Sequence, residues 1–314
     1  MNKEEFAVEA RDLSRSFHGR SVVRRLNLRI RPGEVFGLVG PDGAGKTTTI
    51  RLLCGLLKPS GGSARVAGFD VETEDTEIKE FVGYMPQKFG LYTDLTVQEN
   101  LDFFADLFGL TTQVRRELMG QLLAMTRMKP FIARAAGQLS GGMKQKLGLM
   151  CALLHTPKVL FLDEPTNGVD PVSRRDFWVI LYELIKKGIT IVISTAYLDE
   201  AERCNRVAFL HNGNLVACES PHMMIDRIPE KCYAVAVSDQ HKARDILGRL
   251  PEVLSAEPAG TRLHVFFSPE GLPPERLTSI LAEKGAGPVA VDQIKPSMED
   301  IFIALVRKQT AEVS

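Results

Sequence analysis

The sequence predicts an α/β fold, a mostly parallel sheet covered on both faces, with a small α+β module at its carboxyl end. Three observations carry this. An apolar run of buried-strand length, Val35-Phe36-Gly37-Leu38-Val39, opens onto a glycine-rich turn and then a helical stretch. Two more apolar runs, residues 159–162 and 189–193, alternate with helices, as strands of a parallel sheet do. Beyond residue 228 the pattern changes to strand, helix, two strands, helix, strand, the order of a ferredoxin-like module.

Taken along the chain, residues 6–31 read as short strands around a turn at His18-Gly19-Arg20, and Pro32-Gly33 breaks that pattern. A helix is expected from Thr47 to Leu57, with Ile50, Leu52, Leu53 and Leu56 on its apolar stripe. From Asp94 to His155 the chain turns mostly helical. Thr96-Val97-Gln98-Glu99 is a capping-box sequence before a helix over 100–108, and Gly141-Gly142 opens another through Leu154. A helix over 171–187 separates the two later strands. In the final part, strands are expected at 232–238, 253–257, 262–267 and 288–294, and helices at 241–249, 273–284 and 297–307. This gives two domains, 1–228 with a helical subdomain at about 91–155, and an accessory 229–314.

At 314 residues with 44% hydrophobic and 25% charged content, the chain is long enough for a full core and a second small domain. Lys+Arg and Asp+Glu both number 39, so no net field draws it to nucleic acid. The five cysteines are scattered, without zinc-ligand spacing, and read as free thiols in a reducing compartment. The polar start Met1-Asn2-Lys3-Glu4-Glu5 is unlike a secretory signal, and no run approaches the roughly 18 apolar residues of a membrane span. The expectation is a cytoplasmic protein that meets any membrane only peripherally.

Gly40-Pro41-Asp42-Gly43-Ala44-Gly45-Lys46-Thr47 fits the phosphate-loop pattern between strand and helix, with Thr48 next in line. Glycines let successive N–H groups point at phosphate oxygens, and the helix dipole adds to that field. Lys46 offers a charge to the β and γ phosphates, and Thr47 a hydroxyl to Mg²⁺. A plain glycine turn needs neither. Asp42 would be repelled by a triphosphate and is expected to point away, as a surface turn residue in preference to one bonding the loop backbone.

Residues 159–162 run into Asp163-Glu164-Pro165. Carboxylates at the carboxyl end of a parallel strand sit at the mouth of the ligand crevice. Asp163 would hold Mg²⁺, and Glu164 would take the proton of an attacking water. Leu139-Ser140-Gly141-Gly142-Met143 provides a second anion-binding helix start, which one nucleotide in one subunit does not readily reach.

These motifs together resemble the ATP-binding-cassette family, from residue 13 to about 216. The pentapeptide 139–143 resembles its signature, with Met143 where Gln is usual. The resemblance implies a phosphate-loop core with an antiparallel β subdomain and a helical subdomain. It implies Mg·ATP held in a head-to-tail dimer, where the signature closes on the opposite subunit's ATP. It also implies adenine stacking by Phe17, a contact of Gln87 with Mg²⁺ and the attacking water, and a place for Asp170 at the dimer interface.

One departure stands out. Where the family carries a histidine that bonds the γ-phosphate, this chain reads Ser194-Thr195-Ala196-Tyr197. Alanine offers no side-chain hydrogen bond, so this subunit's own site is expected to turn over slowly. Ala196, the Tyr-Leu-Asp-Glu-Ala-Glu segment and the stretch from Gly83 to Tyr92 resemble the first cassette of tandem-cassette exporter ATPases. That implies pairing with a second cassette, a different one in preference to a copy. The tail Pro296-Ser297-Met298-Glu299-Asp300-Ile301-Phe302 resembles drug-export ATPases of the daunorubicin-resistance type. Those serve separate ABC-2 type membrane subunits. By position in the family, Tyr92, Leu95, Thr96, Glu99 and Asn100 are expected to line the groove that receives them, with a plain capped core helix as the competing reading. The alternative is a regulatory or non-transport ATPase that clamps on ATP with little hydrolysis. A nucleic-acid partner is not expected.

Overall fold

The computed structural model describes residues 6–88, 90–226, 230–268, 271–287 and 289–313, with side chains as far as Arg307. It divides after Cys218 into two compact units. The expected boundary at 228, the polar start 1–5 and Phe89 of the 83–92 stretch lie outside the described residues.

In the first unit, β1 (Val8–Phe17) and β2 (Arg20–Ile30) form an antiparallel hairpin, and β3 (Val35–Val39) leads into α1 (Lys46–Leu53). Next come β4 (Gly61–Val66), β5 (Phe69–Asp70), α2 (Asp75–Phe81) and β6 (Val82–Met85). The helical part holds α3 (Val97–Leu107), α4 (Thr112–Thr126) and α5 (Gly141–Leu153). It is followed by β7 (Val159–Asp163), α6 (Pro171–Lys186), β8 (Thr190–Thr195), α7 (Leu198–Ala201), β9 (Arg206–His211) and β10 (Asn214–Glu219).

Two sheets result. One is antiparallel in the order β2-β1-β4-β5, and the other runs β10-β9-β3-β8-β7-β6 with β9, β3, β8, β7 and β6 mutually parallel. Every residue of β3, β7 and β8 is buried, which is why these strands read as unbroken apolar runs rather than as alternation. Phe36, Phe161 and Phe209 on this sheet are fully buried, each contributing about 2 kcal/mol of apolar burial. The arrangement brings the carboxyl ends of β3, β7 and β8 side by side, because β3 pairs with β8 and β8 with β7.

Two local expectations differ from the structure. α1 stops at Leu53, not Leu57, because Gly55 turns left-handed (φ 69°) and leaves Leu56 exposed. α3 begins at Val97, with Thr96 as its cap: its hydroxyl accepts from Glu99 N at 3.2 Å, and Glu99 Oε2 accepts from Thr96 N at 2.8 Å. Asn100 is then inside the helix and fully buried. Its amide donates to the carbonyls of Tyr92, Leu95 and Thr96 and accepts from Tyr92 N, so it clips the preceding turn instead of lining an open groove.

In the second unit, α8 (Pro221–Asp226) precedes β11 (Lys231–Ala236), α9 (Gln240–Leu247), β12 (Val253–Ala259), β13 (Arg262–Phe267), α10 (Pro274–Glu283), β14 (Ala290–Ile294) and α11 (Met298–Val313). The sheet order is β12-β13-β11-β14, antiparallel throughout. Tyr233, Val235, Leu263, Val265 and Phe267 project from one face and form a core with Ala243 and Leu247 of α9 and Leu277 and Leu281 of α10.

Candidate active site

The turn after β3 is shaped by backbone demands that only glycine meets. Gly45 caps α1 at φ 104°, and a Cβ there would lie 2.7 Å from Val22 O. The loop wraps the amine of Lys46, which donates to Gly40 O at 2.8 Å and Pro41 O at 3.1 Å. Around it lies a cavity of about 350 Å³, lined by Val22, residues 42–48, Gln87 and Glu164.

The acidic pair comes off β7 with its two carboxylates in different settings. Asp163 is buried. Its Oδ1 accepts from Thr47 Oγ1 at 3.0 Å and Ser194 Oγ at 2.7 Å, whereas Oδ2 has no hydrogen-bond partner among the described residues. A buried carboxylate oxygen left unpaired beside a threonine hydroxyl at a phosphate loop suits a hard, oxygen-seeking cation. Glu164 adopts φ 48°, and its N–H is held by Ser194 O at 3.2 Å and Ser194 Oγ at 2.9 Å. This uncommon backbone turns the side chain into the cavity. There Oε1 lies 3.1 Å from Lys46 Nζ, and Oε2 accepts from Gln87 Nε2 at 2.8 Å and Asn167 Nδ2 at 3.1 Å.

A family model described as ABC transporter matches residues 23–167. The probable multidrug ABC transporter ATP-binding protein YbhF of Escherichia coli (strain K12) is 43% identical over 299 residues, 94% of this chain and 51% of YbhF. The Nod factor export ATP-binding protein I of Rhizobium etli is 33% identical over 306 residues, 96% of this chain and 94% of that protein. The chain belongs to the ABC transporter ATP-binding family. A solved cassette described as the ATP binding subunit of an ABC transporter superposes with a TM-score of 0.64 at 30% identity, covering 70% of this chain and 92% of its own. The first unit thus has the phosphate-loop NTPase fold of ABC cassettes, proteins that bind ATP. The chain spans about half the length of YbhF.

The remaining cassette positions lie apart from this cavity. None of Phe17, Asp170 or residues 139–143 is among the residues that line it. Ser140 caps α5, its hydroxyl accepting from Met143 N at 3.4 Å. A Cβ on Gly142 would come within 2.5 Å of Ser173 Cβ, so this glycine lets α5 approach α6, whereas Gly141 faces open space. Leu139 is buried, and Ser140 is exposed. Asp170 caps α6 by accepting from Ser173 N at 2.9 Å and Val172 N at 3.1 Å. Hydrogen bonds from the Ser173 amide and hydroxyl hold its carboxyl below the usual range. Phe17 ends β1 partly exposed, with the Arg15 guanidinium 4.6 Å from its ring centre. Asp42 is exposed and lines the cavity, with no hydrogen bond among the described residues.

Ala196 follows β8 and borders a second cavity of about 160 Å³ with Asp42, Glu164, Thr166, Asn167, Thr195 and Tyr197. Its methyl adds no polar group to that wall. Several supporting residues were not assigned roles from sequence. Asn167 and Ser194 hold the acidic pair from the ends of two neighbouring segments. Behind Ala196, the fully buried Glu200 accepts from Thr166 Oγ1 at 2.6 Å, Thr195 Oγ1 at 2.8 Å and Trp178 Nε1 at 3.2 Å. Ser194 gains its partners from the register of β7 against β8, which sets it opposite Asp163.

Proposed function

We propose that the chain binds Mg·ATP at residues 40–48, hydrolyses it with Glu164 as general base, and so powers export by separate membrane subunits. The observation that supports this most strongly is the placement of Glu164. Its carboxylate is gripped from one side by two amides and aimed on the other at the phosphate-loop lysine.

Lys46, already threaded through the loop, meets the β and γ phosphates, and Phe17 stacks on adenine. A triphosphate competes with Glu164 Oε1 for the Lys46 ammonium. As that contact exchanges, Oε1 turns to the attacking water and takes its proton, while Gln87 and Asn167 keep Oε2 fixed. Thr47, Gln87 and Asp163 Oδ2 would hold Mg²⁺, which when bound neutralises charge on the β and γ oxygens. Ser140, Gly141 and Gly142 would close on the ATP of a second cassette, with Asp170 at the same interface, which fits the exposed Gly141.

The export reading is supported by the roles of the relatives, one a probable multidrug transporter ATP-binding protein and one a Nod factor export ATP-binding protein. We assign the membrane partners to ABC-2 type permeases and the second cassette to a different chain or domain in preference to a copy. The chain would act at the inner face of the membrane, and the module 229–314 would be accessory. A second reading, an ATP clamp with little hydrolysis, is favoured by Ala196 alone.

Copurification tests both partners at once. Tagged chain with Glu164→Gln, captured from membranes in Mg·ATP, should bring down a multi-spanning permease and a second cassette. Recovery of neither, from cells making the wild-type complex, would count against the export reading.

A further inference from the structure

The second unit gathers three ligating side chains that no sequence spacing links. Cys232 lies on β11, His264 on β13 and Asp300 in the first turn of α11, and one ligand atom of each lies within 4.8 Å of the other two. The strand register explains the meeting. Cys232 stands opposite Phe266 and Ala234 opposite His264, so Cys232 and His264 are diagonal neighbours on one face of the sheet. It is the face turned away from the α9 and α10 core, and α11 brings Asp300 to it.

The site is enclosed and built. Cys232 is 2% exposed, Asp300 5%, and His264 is half-buried. His264 Nδ1 lies 3.0 Å from Asp300 Oδ2 and 3.2 Å from Oδ1. Ser297 fixes the carboxylate from outside, donating to Oδ2 from its N–H at 2.8 Å and its hydroxyl at 2.7 Å. Such outer hydrogen bonds orient metal-ligating carboxylates. The Cys232 thiol has no hydrogen-bond partner among the described residues.

A nucleophilic relay is a poor fit to the same atoms. There the imidazole separates thiol from carboxylate, putting sulfur and carboxylate oxygen on the order of 7 Å apart. Here the two atoms lie within 4.8 Å of each other.

We propose that Cys232, His264 and Asp300 hold one divalent metal ion of the zinc class, with water in the fourth position. Mixed sulfur, nitrogen and oxygen donors suit Zn²⁺ and exclude Mg²⁺ and Ca²⁺, which take oxygen alone. Tetrahedral zinc spaces its ligand atoms about 3.5 Å apart, so the widest pair closes by roughly an ångström. Binding releases the thiol proton to solvent, while the neutral imidazole keeps its one proton on Nε2 and turns Nδ1 to the ion. The ion then braces α11 against β11 and β13.

Cobalt titration of the metal-stripped, reduced full chain in excess Mg²⁺ tests this. A sulfur-to-cobalt charge-transfer band should saturate at one equivalent, yield to Zn²⁺, and be lost in Cys232→Ser and His264→Gln. Zn²⁺ should raise the Tm of the wild type and leave both variants unmoved. If Cys232→Ser does not fold by circular dichroism, His264→Gln, at a half-buried position, decides. No band in the wild type, or an undiminished band in His264→Gln, overturns the proposal.

Discussion

Lys46 Nζ lies 3.1 Å from Glu164 Oε1, and both side chains are at least nine-tenths buried. Two residues 118 positions apart in the chain are thus a single charged unit beyond the carboxyl ends of β3 and β7. Removing either partner leaves the other as an uncompensated buried charge. Lys46→Ala should therefore abolish ATP binding and also destabilise the chain, by about 3 kcal/mol. Fluorescent nucleotide binding and urea unfolding measure the two effects separately. Lys46→Ala with unchanged affinity would remove the phosphate loop from the account.

Glu200 should matter more than its distance from the phosphate loop suggests. Its carboxylate is fully buried and ties Thr195, Thr166 and Trp178 together. Glu200→Ala strips three donors of their acceptor at a cost of about 3 kcal/mol. It should also lower turnover, by loosening the segment that carries Asn167. Trp178 fluorescence on unfolding reads the stability loss, and phosphate release reads the rate. A fully stable variant would show that the network is not what holds these segments.

The cap on α3 offers a smaller effect. Thr96→Ala removes the hydroxyl that accepts from Glu99 N and should cost about 1 kcal/mol in urea unfolding. Asn100→Ala should cost more, because it opens the whole clip at residues 92–96.

Much of the site was legible because its motifs are contiguous. The phosphate loop, Asp163-Glu164 and Leu139–Met143 each fit within eight residues or fewer, in the expected order along the chain. The fully buried strands β3, β7 and β8 announce themselves as apolar runs. What escaped is tertiary. Ser194 serves Asp163 and Glu164 only because β8 lies beside β7. Cys232, His264 and Asp300 meet through a diagonal register that no spacing rule encodes. β4 opens on Gly61-Gly62-Ser63 and buries only Ala64 and Val66, so it lacks the apolar run that marks a strand. The Leu56 misreading has a local cause: Gly55 ends α1 before the apolar stripe does.

Stability should also fall on mild acidification, in part through His155. Its Nε2 lies 3.0 Å from Val82 O, its ring stacks on Phe108, and burial holds its pKa below the ordinary 6.5. The folded state resists protonation that the unfolded chain accepts. The contribution is therefore intact above 6.5 and is lost as pH falls from there through the folded pKa. Unfolding midpoints measured across this window should drop in the wild type and drop less in His155→Gln.

The central claim is that Glu164 is the base of a site weakened by Ala196. It is tested most directly by ATP turnover in four proteins: wild type, Ala196→His, Glu164→Gln and the double variant. The restored histidine should raise the rate, by up to about two orders of magnitude for one positioned donor. Glu164→Gln should reduce turnover by about two orders or more in either background while ATP binding persists. Turnover that survives Glu164→Gln at the rate of its parent would contradict the account.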